Sequence, residues 1–372
     1  MRINIIEIQK TEQETFDTFE KFLDKLNMVA TDTSWQECTA DSILFAENPE
    51  GVPFEGFGGD EFECINLSLN HGWTFVPLRY TSLQSILSRA ECYGNGIKRL
   101  FLANKSKFAE HLNDYFHLLT DGRKSKMLAL IQEGKVSAIH SGSYKPIPMP
   151  EIFKILEDYI HDFDNATFLY GEWSWESAQA RYKIVDKQLE DVYTNLLKKY
   201  FNFKQVDIEL MAISSDVAEA AVRFYPRFVL NNSTLVPLSC GASVKHIGAV
   251  DLETVESRLG DVFTSFEAAC RNLAALADVR INHKKNTMMK AYAKLNIPQK
   301  YAADICEKYQ NIPTSALDVY TSMCEVLNAM KGNVSDTSLL NYEDALTKLI
   351  TYNRASWSRL DISGVVTWQA SK

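Results

Sequence analysis

Long apolar runs are missing from this 372-residue chain. No window approaches the ~18 consecutive apolar residues a spanning helix needs, so no contact with a membrane is expected. The opening Met1-Arg-Ile-Asn-Ile-Ile-Glu-Ile8 stretch has no basic segment leading into an apolar core, so no export signal is read there. Paired cysteines are missing as well. The seven, Cys38, Cys64, Cys92, Cys240, Cys270, Cys306 and Cys324, are odd in number, scattered, and without a C-x-x-C pair. They predict buried thiols in a reducing, cytoplasmic compartment, with a disulfide or zinc framework as the alternative. Catalytic signatures are absent in the same way. There is no Gly-x-Ser-x-Gly elbow, and Gly94-Asn95-Gly96 and Gly56-Phe57-Gly58-Gly59 lack the strand, helix and Lys-Ser/Thr that a phosphate loop requires. Both read as turns, and no cofactor is implied.

Basic residues are missing from one long stretch. Leu26 to Leu78 holds nine carboxylates and no Lys or Arg, which accounts for the whole formal charge of −9. The rest of the chain is balanced. With 46% apolar and 23% charged residues, the composition is that of a globular protein with a large core.

The pattern up to about Gly248 is mixed. Ile3–Ile8 reads as a strand, and Phe16, Phe19, Leu23 and Leu26 recur at helical spacing, predicting a helix from about Thr11 to Asn27. Glu63–Asn70 and Trp73–Leu78 predict one hairpin, Met127–Gln132 and Val136–His140 another. Between them Ser82 starts a helix that Gly94-Asn95-Gly96 ends, Ile97–Ala103 reads as a strand, and Lys105–Leu119 returns to helical period. Pro150 falls in the first turn of a helix reaching about His161. Ala166–Trp173, Gln205–Ile213 and Arg223–Leu230 read as strands, with a helix from about Val185 to Tyr200 between the first two. Beyond Gly248, Val255 to Leu276 hold helical spacing, and shorter helices follow, separated by Pro298, Pro313 and Gly332. The expected fold is α+β: a mixed or antiparallel sheet with flanking helices over 1–248, including an acidic loop at 26–78, then an all-helical region over 249–372.

Three motifs carry a likeness. Ser141-Gly-Ser143-Tyr144-Lys-Pro146-Ile147 leads into a helix, His246-Ile-Gly248 precedes a long helix, and Leu317-Asp318-Val319-Tyr320 is followed by a late Trp357. Together they resemble an uncharacterised phage- and plasmid-borne family, domain of unknown function 932, from about Asn66 to Trp357. Many of its members carry an Arg-x-x-Cys-x-Asn segment where this chain reads Arg223-Phe-Tyr-Pro-Arg-Phe, so no site carries over there. The resemblance implies a mobile-element setting: replication, recombination or interference with host defence. It implies no chemistry.

Two segments are candidate surfaces. Arg280, Lys284, Lys285, Lys290, Lys294 and Lys300 lie in a run without acids, the arrangement that neutralises phosphates and releases counterions. The bland alternative is a solvated helix face. A second basic group, Lys98, Arg99, Lys105, Lys107, Arg123, Lys124 and Lys126, sits among Tyr93, Phe101, Phe108 and Tyr115, rings available for base stacking or for the core. In the acidic stretch, Phe54, Glu55, Phe57, Asp60, Glu61 and Glu63 interleave rings with carboxylates, as a nucleic-acid mimic docking on a host protein would. Its alternative is a surface loop anchored by its phenylalanines. His161-Asp162 with Asp164 lacks the further ligands of a metallohydrolase, and Asp207 with Glu209 share a strand face without the usual neighbouring lysine of a nuclease.

The sequence therefore predicts a cytoplasmic nucleic-acid-binding protein of a phage or plasmid, acting on single-stranded DNA or a DNA intermediate. The alternatives are an acidic inhibitor of a host enzyme and, third, a metal-dependent nuclease. Self-association stays open.

Overall fold

The computed structural model describes residues 13–47, 65–72, 74–92, 94–119, 125–201, 205–217, 221–231, 233–334 and 336–368. The first part runs β1 (Glu14–Phe16), α1 (Phe19–Thr31), β2 (Thr33–Thr39), β3 (Leu44–Glu47), β4 (Ile65–Ser68), β5 (Phe75–Pro77), α2 (Tyr80–Arg89), α3 (Asn95–Ala103), α4 (Lys105–Leu118), β6 (Lys126–Gln132) and β7 (Lys135–Ser141). Next come α5 (Met149–Ile160), β8 (Asn165–Trp173), β9 (Ala178–Val185), α6 (Lys187–Leu196), β10 (Val206–Ser214), β11 (Val222–Leu230), β12 (Thr234–Pro237) and β13 (Ala242–Val244). The remainder is α7 (Leu252–Thr264), α8 (Phe266–Ala275), β14 (Arg280–Ile281), α9 (Lys284–Lys294), α10 (Gln299–Glu307), β15 (Thr314–Ser315), α11 (Ala316–Met330), α12 (Asp336–Thr347) and α13 (Arg354–Ser358). The class is α+β, with antiparallel sheets and a mostly helical C-terminal region. No helix among the described residues is long and apolar enough to cross a membrane.

Strand alternation builds the main sheet, ordered β1-β8-β9-β10-β11-β12 with β13 also on β11. Ala180, Tyr182 and Ile184 of β9, Ile208, Leu210 and Ala212 of β10, and Phe224 and Phe228 of β11 are buried on one face. Helices α1, α5 and α7 cover that face. Phe22 of α1 meets Phe153 edge-on at 4.9 Å and comes so close to β8 that a Cβ on Gly171 would lie 2.5 Å from its ring. The alternate face is charged. Arg227 is fully buried between Glu209 at 3.1 Å and Glu343 of α12 at 3.3 Å, while Lys183 pairs with Asp207 and Arg223 with Asp344, each at 2.8 Å. Burying ions is costly unless they are paired, so these pairs fix where α12 sits.

A second sheet, β2-β6-β7, turns through Glu133 and Gly134, both with positive φ, as a tight hairpin requires. The edge of β7 is bonded to α2, with Thr81 donating to the Ser137 carbonyl (2.8 Å) and Ser85 accepting from the Ile139 N–H (2.9 Å). One face carries Trp35, Leu130, Ala138 and His140, packed toward Val217 after β10. The two sheets thus meet at the end of the main sheet where β8 and β10 finish.

Several expectations change. The strand at Ile3–Ile8 lies outside the described residues, and Thr11–Asn27 is not one helix: β1 pairs with β8, and α1 starts at Phe19, capped by Thr18. Ile97–Ala103 is helical, because Ile97, Leu100 and Phe101 recur at i, i+3 and i+4 around two basic residues. Gly94 begins that helix and does not end the one before it. The described residues of the 26–78 stretch are largely α1 and β2 to β5, while 48–64 and 73 lie outside the described residues. Strand β9 was hidden inside an expected connection, Val255–Leu276 divides into two helices at Ser265, and the C-terminal region contains the small β14–β15 ladder. The change near Gly248 is one of secondary structure alone, since a single buried apolar cluster runs from Phe22 to Leu360. The six described cysteines are buried, unbridged thiols, and burial pushes Cys38 up to about 12.

Candidate functional site

The meeting of the two sheets is held by short polar turns. Between β8 and β9, the Ser174 hydroxyl accepts the N–H groups of Glu176 and Ser177 (3.3 Å each), and the Ser174 N–H donates to the Ser177 carbonyl (2.9 Å). The Ser215 hydroxyl then donates to the Glu176 carbonyl (2.6 Å), tying the segment after β10 to this turn. The result is a rigid corner that presents two tryptophans. Trp173 and Trp175 meet edge-to-face at 4.7 Å, and each carries a cation over its ring: Lys25 at 4.1 Å on Trp173, Arg79 at 3.3 Å on Trp175. Lys25 also pairs with Glu14, and Arg79 with Glu133.

Between this corner, α1, β2 and the proline run lies a pocket of about 260 Å³. Its wall combines Trp35, Trp173 and Trp175 with Leu26 and Val29 of α1 and Pro146 to Pro150. Two acceptors in the wall lack partners among the described residues. Gln132 is 5% exposed, and its Nε2 faces the Thr33 hydroxyl oxygen at 3.5 Å. That hydroxyl has already donated its one hydrogen to the Val29 carbonyl at 2.7 Å, so it can only accept from Gln132. The amide orientation is thereby fixed, and Gln132 Oε1 is left as a buried acceptor. Asp216 Oδ1 is the second. Burial pushes its carboxyl from 3.8 up to about 7, because the charged form loses solvation without gaining a donor. Leaving such atoms without a donor costs roughly 1–3 kcal/mol each, so a donor brought by a ligand would be favoured there.

Behind Asp216 stands a column of rings. Tyr144 stacks on His140 at 3.8 Å and on His246 at 5.0 Å, with Trp35 at 5.4 Å. His140 Nε2 lies 2.7 Å from the Asp216 carbonyl oxygen, an acceptor, so the ring proton sits on Nε2. Burial pushes His140 down to about 4, which keeps it neutral at pH 7, and lowers His246 for the same reason. The His246 loop is pinned to Lys145 by the Lys145 N–H to His246 carbonyl bond (2.9 Å). Two motifs a hundred residues apart in sequence, around Tyr144 and His246, are therefore neighbours. The third motif is structural: Asp318 accepts from Lys284, the Tyr320 hydroxyl donates to the Pro237 carbonyl (2.7 Å), and Trp357 is buried.

The basic run does not form one free surface. Lys284 is corrected outright: it is 6% exposed, 2.6 Å from Asp318 and 4.1 Å over the Tyr309 ring, because the start of α9 is packed against α10 and α11. Lys285 is paired with Glu307 at 2.8 Å. Arg280 is exposed on β14, Lys290 is half-buried, and Lys294 and Lys300 are exposed over Tyr352 and Tyr301. These four are distributed over β14, α9 and α10. That region reaches the sheet through α11, which rests on β12, and β12 pairs with the Arg227–Leu230 half of β11, away from the pocket end. In the second basic group Phe101 and Phe108 are core, while Tyr93, Arg123 and Lys124 lie outside the described residues. So do Phe54, Glu55, Phe57, Asp60, Glu61 and Glu63.

The nuclease pair is occupied. Lys183 holds Asp207 and Arg227 holds Glu209; the lysine missing along the strand comes from β9 next door, as an ion-pair partner. His161 is exposed, its Nδ1 2.5 Å from the Glu157 carbonyl, and no group of three or more metal-type ligands occurs among the described residues. Sequence reading missed the pocket. Trp35 lies far in the chain from Trp173 and Trp175, and of the wall residues the three motifs include only Pro146 and Ile147. No known family model, characterised protein or solved structure matches the chain.

Proposed function

We propose that the protein binds single-stranded nucleic acid by taking an unstacked base into the tryptophan-lined pocket, as a cytoplasmic replication or recombination protein of a phage or plasmid. The observation that carries this reading is the coincidence, in one pocket, of three indole rings and two buried acceptors without partners. Rings supply stacking, worth about 1–3 kcal/mol per base, and the acceptors supply an edge for base N–H groups. The size agrees. At about 260 Å³ the pocket is just under the roughly 300 Å³ at which drug-sized sites begin, so one ring system fills it. A base still paired in a duplex cannot enter such a pocket, which is why the strand must be single or locally opened. The mobile-element setting rests on the resemblance of the Tyr144 and His246 motifs, which form the wall behind Asp216.

The test is fluorescence anisotropy with labelled single- and double-stranded oligonucleotides, repeated with Trp35→Leu. Single strands should bind more tightly than duplex, quench tryptophan emission, and lose about tenfold or more in affinity in the variant. Equal affinity for duplex, or full binding by a folded Trp35→Leu protein, refutes the reading.

A further inference from the structure

We infer that the pocket selects guanine, with Gln132 Oε1 and Asp216 Oδ1 accepting from the adjacent ring N–H and amino group on its edge. The inference rests on the single-strand reading and names the base it would take. Its starting point is chemical sign. Above pH 7 both unpartnered atoms in the wall are acceptors: Gln132 because Thr33 holds its amide in one orientation, Asp216 because its carboxyl, pushed up to about 7, is then ionised and a carboxylate oxygen accepts. The ligand edge must therefore donate twice. Among the common bases only guanine places two N–H donors side by side; adenine and cytosine put an acceptor beside their amino group, and thymine and uracil offer one N–H between two carbonyls.

A planar cation such as a guanidinium also donates twice and stacks on indole. The pocket disfavours it, since Trp173 and Trp175 each already hold a cation against one face, Lys25 and Arg79. A second cation on the opposite face would be repelled through the ring, whereas a neutral aromatic keeps its stacking energy. Selectivity against a base lacking one donor follows from the same burial: Asp216 or Gln132 would stay unpaired, the situation that gives polar pockets their strongest discrimination.

The experiment uses the intact chain and twelve-residue oligothymidylates carrying one central guanine, hypoxanthine, adenine or cytosine, with guanosine monophosphate and methylguanidinium as competitors. Hypoxanthine lacks only the amino donor. At pH 8, where Asp216 is ionised, guanine should bind about tenfold more tightly than hypoxanthine; Asp216→Asn should bring the two together, and Gln132→Met, which removes the acceptor of the ring N–H both bases share, should weaken both alike. The comparison on the unmodified protein needs no variant to fold. If all four oligonucleotides bind alike and Trp35→Leu still weakens them, the base assignment fails and the single-strand reading stands. If the strands do not bind but guanosine monophosphate quenches the tryptophans, guanine recognition stands for a free nucleotide and the strand reading fails. Competition by methylguanidinium alone overturns the inference in favour of a cation, and no binding by any probe overturns both.

Discussion

Replacing Asp216 with Asn should change the shape of the stability curve against pH as well as its height. The carboxyl moves from 3.8 to about 7 on folding. At about 1.4 kcal/mol per unit, its ionisation in the folded state costs at most about 4 kcal/mol. Water reaches the half-buried residue, so about 2 kcal/mol is the working figure. Between pH 4 and 7 the native protein keeps a proton that the unfolded chain has lost, so this group favours folding at low pH and that contribution disappears as pH rises through 7. His140 acts in the opposite sense. Its value falls from 6.5 to about 4, so the unfolded chain takes up a proton first and stability drops, by about 3 kcal/mol, as pH falls from 6.5 through 4. The two slopes oppose each other inside one cluster that also includes Tyr144, His246 and, more distantly, Arg89. Asp216→Asn should gain about 2 kcal/mol over the parent at pH 8 and about 1 kcal/mol at pH 4.5, vanishing only below 3.8, and show a steeper acid limb, since His140 is then unopposed. Urea titrations followed by tryptophan fluorescence at half-unit steps from pH 4 to 8 measure this. Parallel curves for variant and parent would refute the reasoning.

Two further predictions concern the frame. Gly171→Ala puts a Cβ against the Phe22 ring and should cost about 1–3 kcal/mol, read as a lower Tm; an unchanged Tm would show that α1 can step away from β8. Lys290→Glu together with Lys294→Glu should leave binding of a twelve-residue oligonucleotide within about twofold, because α9 stands away from the pocket; a loss near tenfold would return the phosphate contact to that helix.

The frame was legible wherever one period dominated. Met127–Gln132 with Val136–His140, and Gln205–Ile213 with Arg223–Leu230, are short apolar-rich runs of strand length, and Pro150 marks the start of α5 within a residue. It was illegible where a short apolar run fits both periods, as at Ile97–Ala103, or where a pairing partner is remote, as for β1 on β8. The candidate site fared worse for a related reason. A run of lysines looks like a surface until the acids that neutralise it, Asp318 and Glu307, fold back from more than twenty residues downstream. Trp35, Gln132, Trp175 and Asp216 had no local signature at all, because what makes them a site is the closing of one sheet on the end of another.

The charged face of the main sheet bears on how the chain can be divided. Arg227 sits in the middle of β11, yet one of its carboxylates, Glu343, belongs to α12, and Arg223 likewise depends on Asp344. In a fragment ending near residue 248 Arg227 would keep only Glu209 and Arg223 would lose Asp344, and the apolar cluster would open on the side that α11 closes. The last third is thus the electrostatic lid of the first two. The unit that folds, and the unit that any variant, truncation or fusion must respect, is the continuous core running from Phe22 to Leu360.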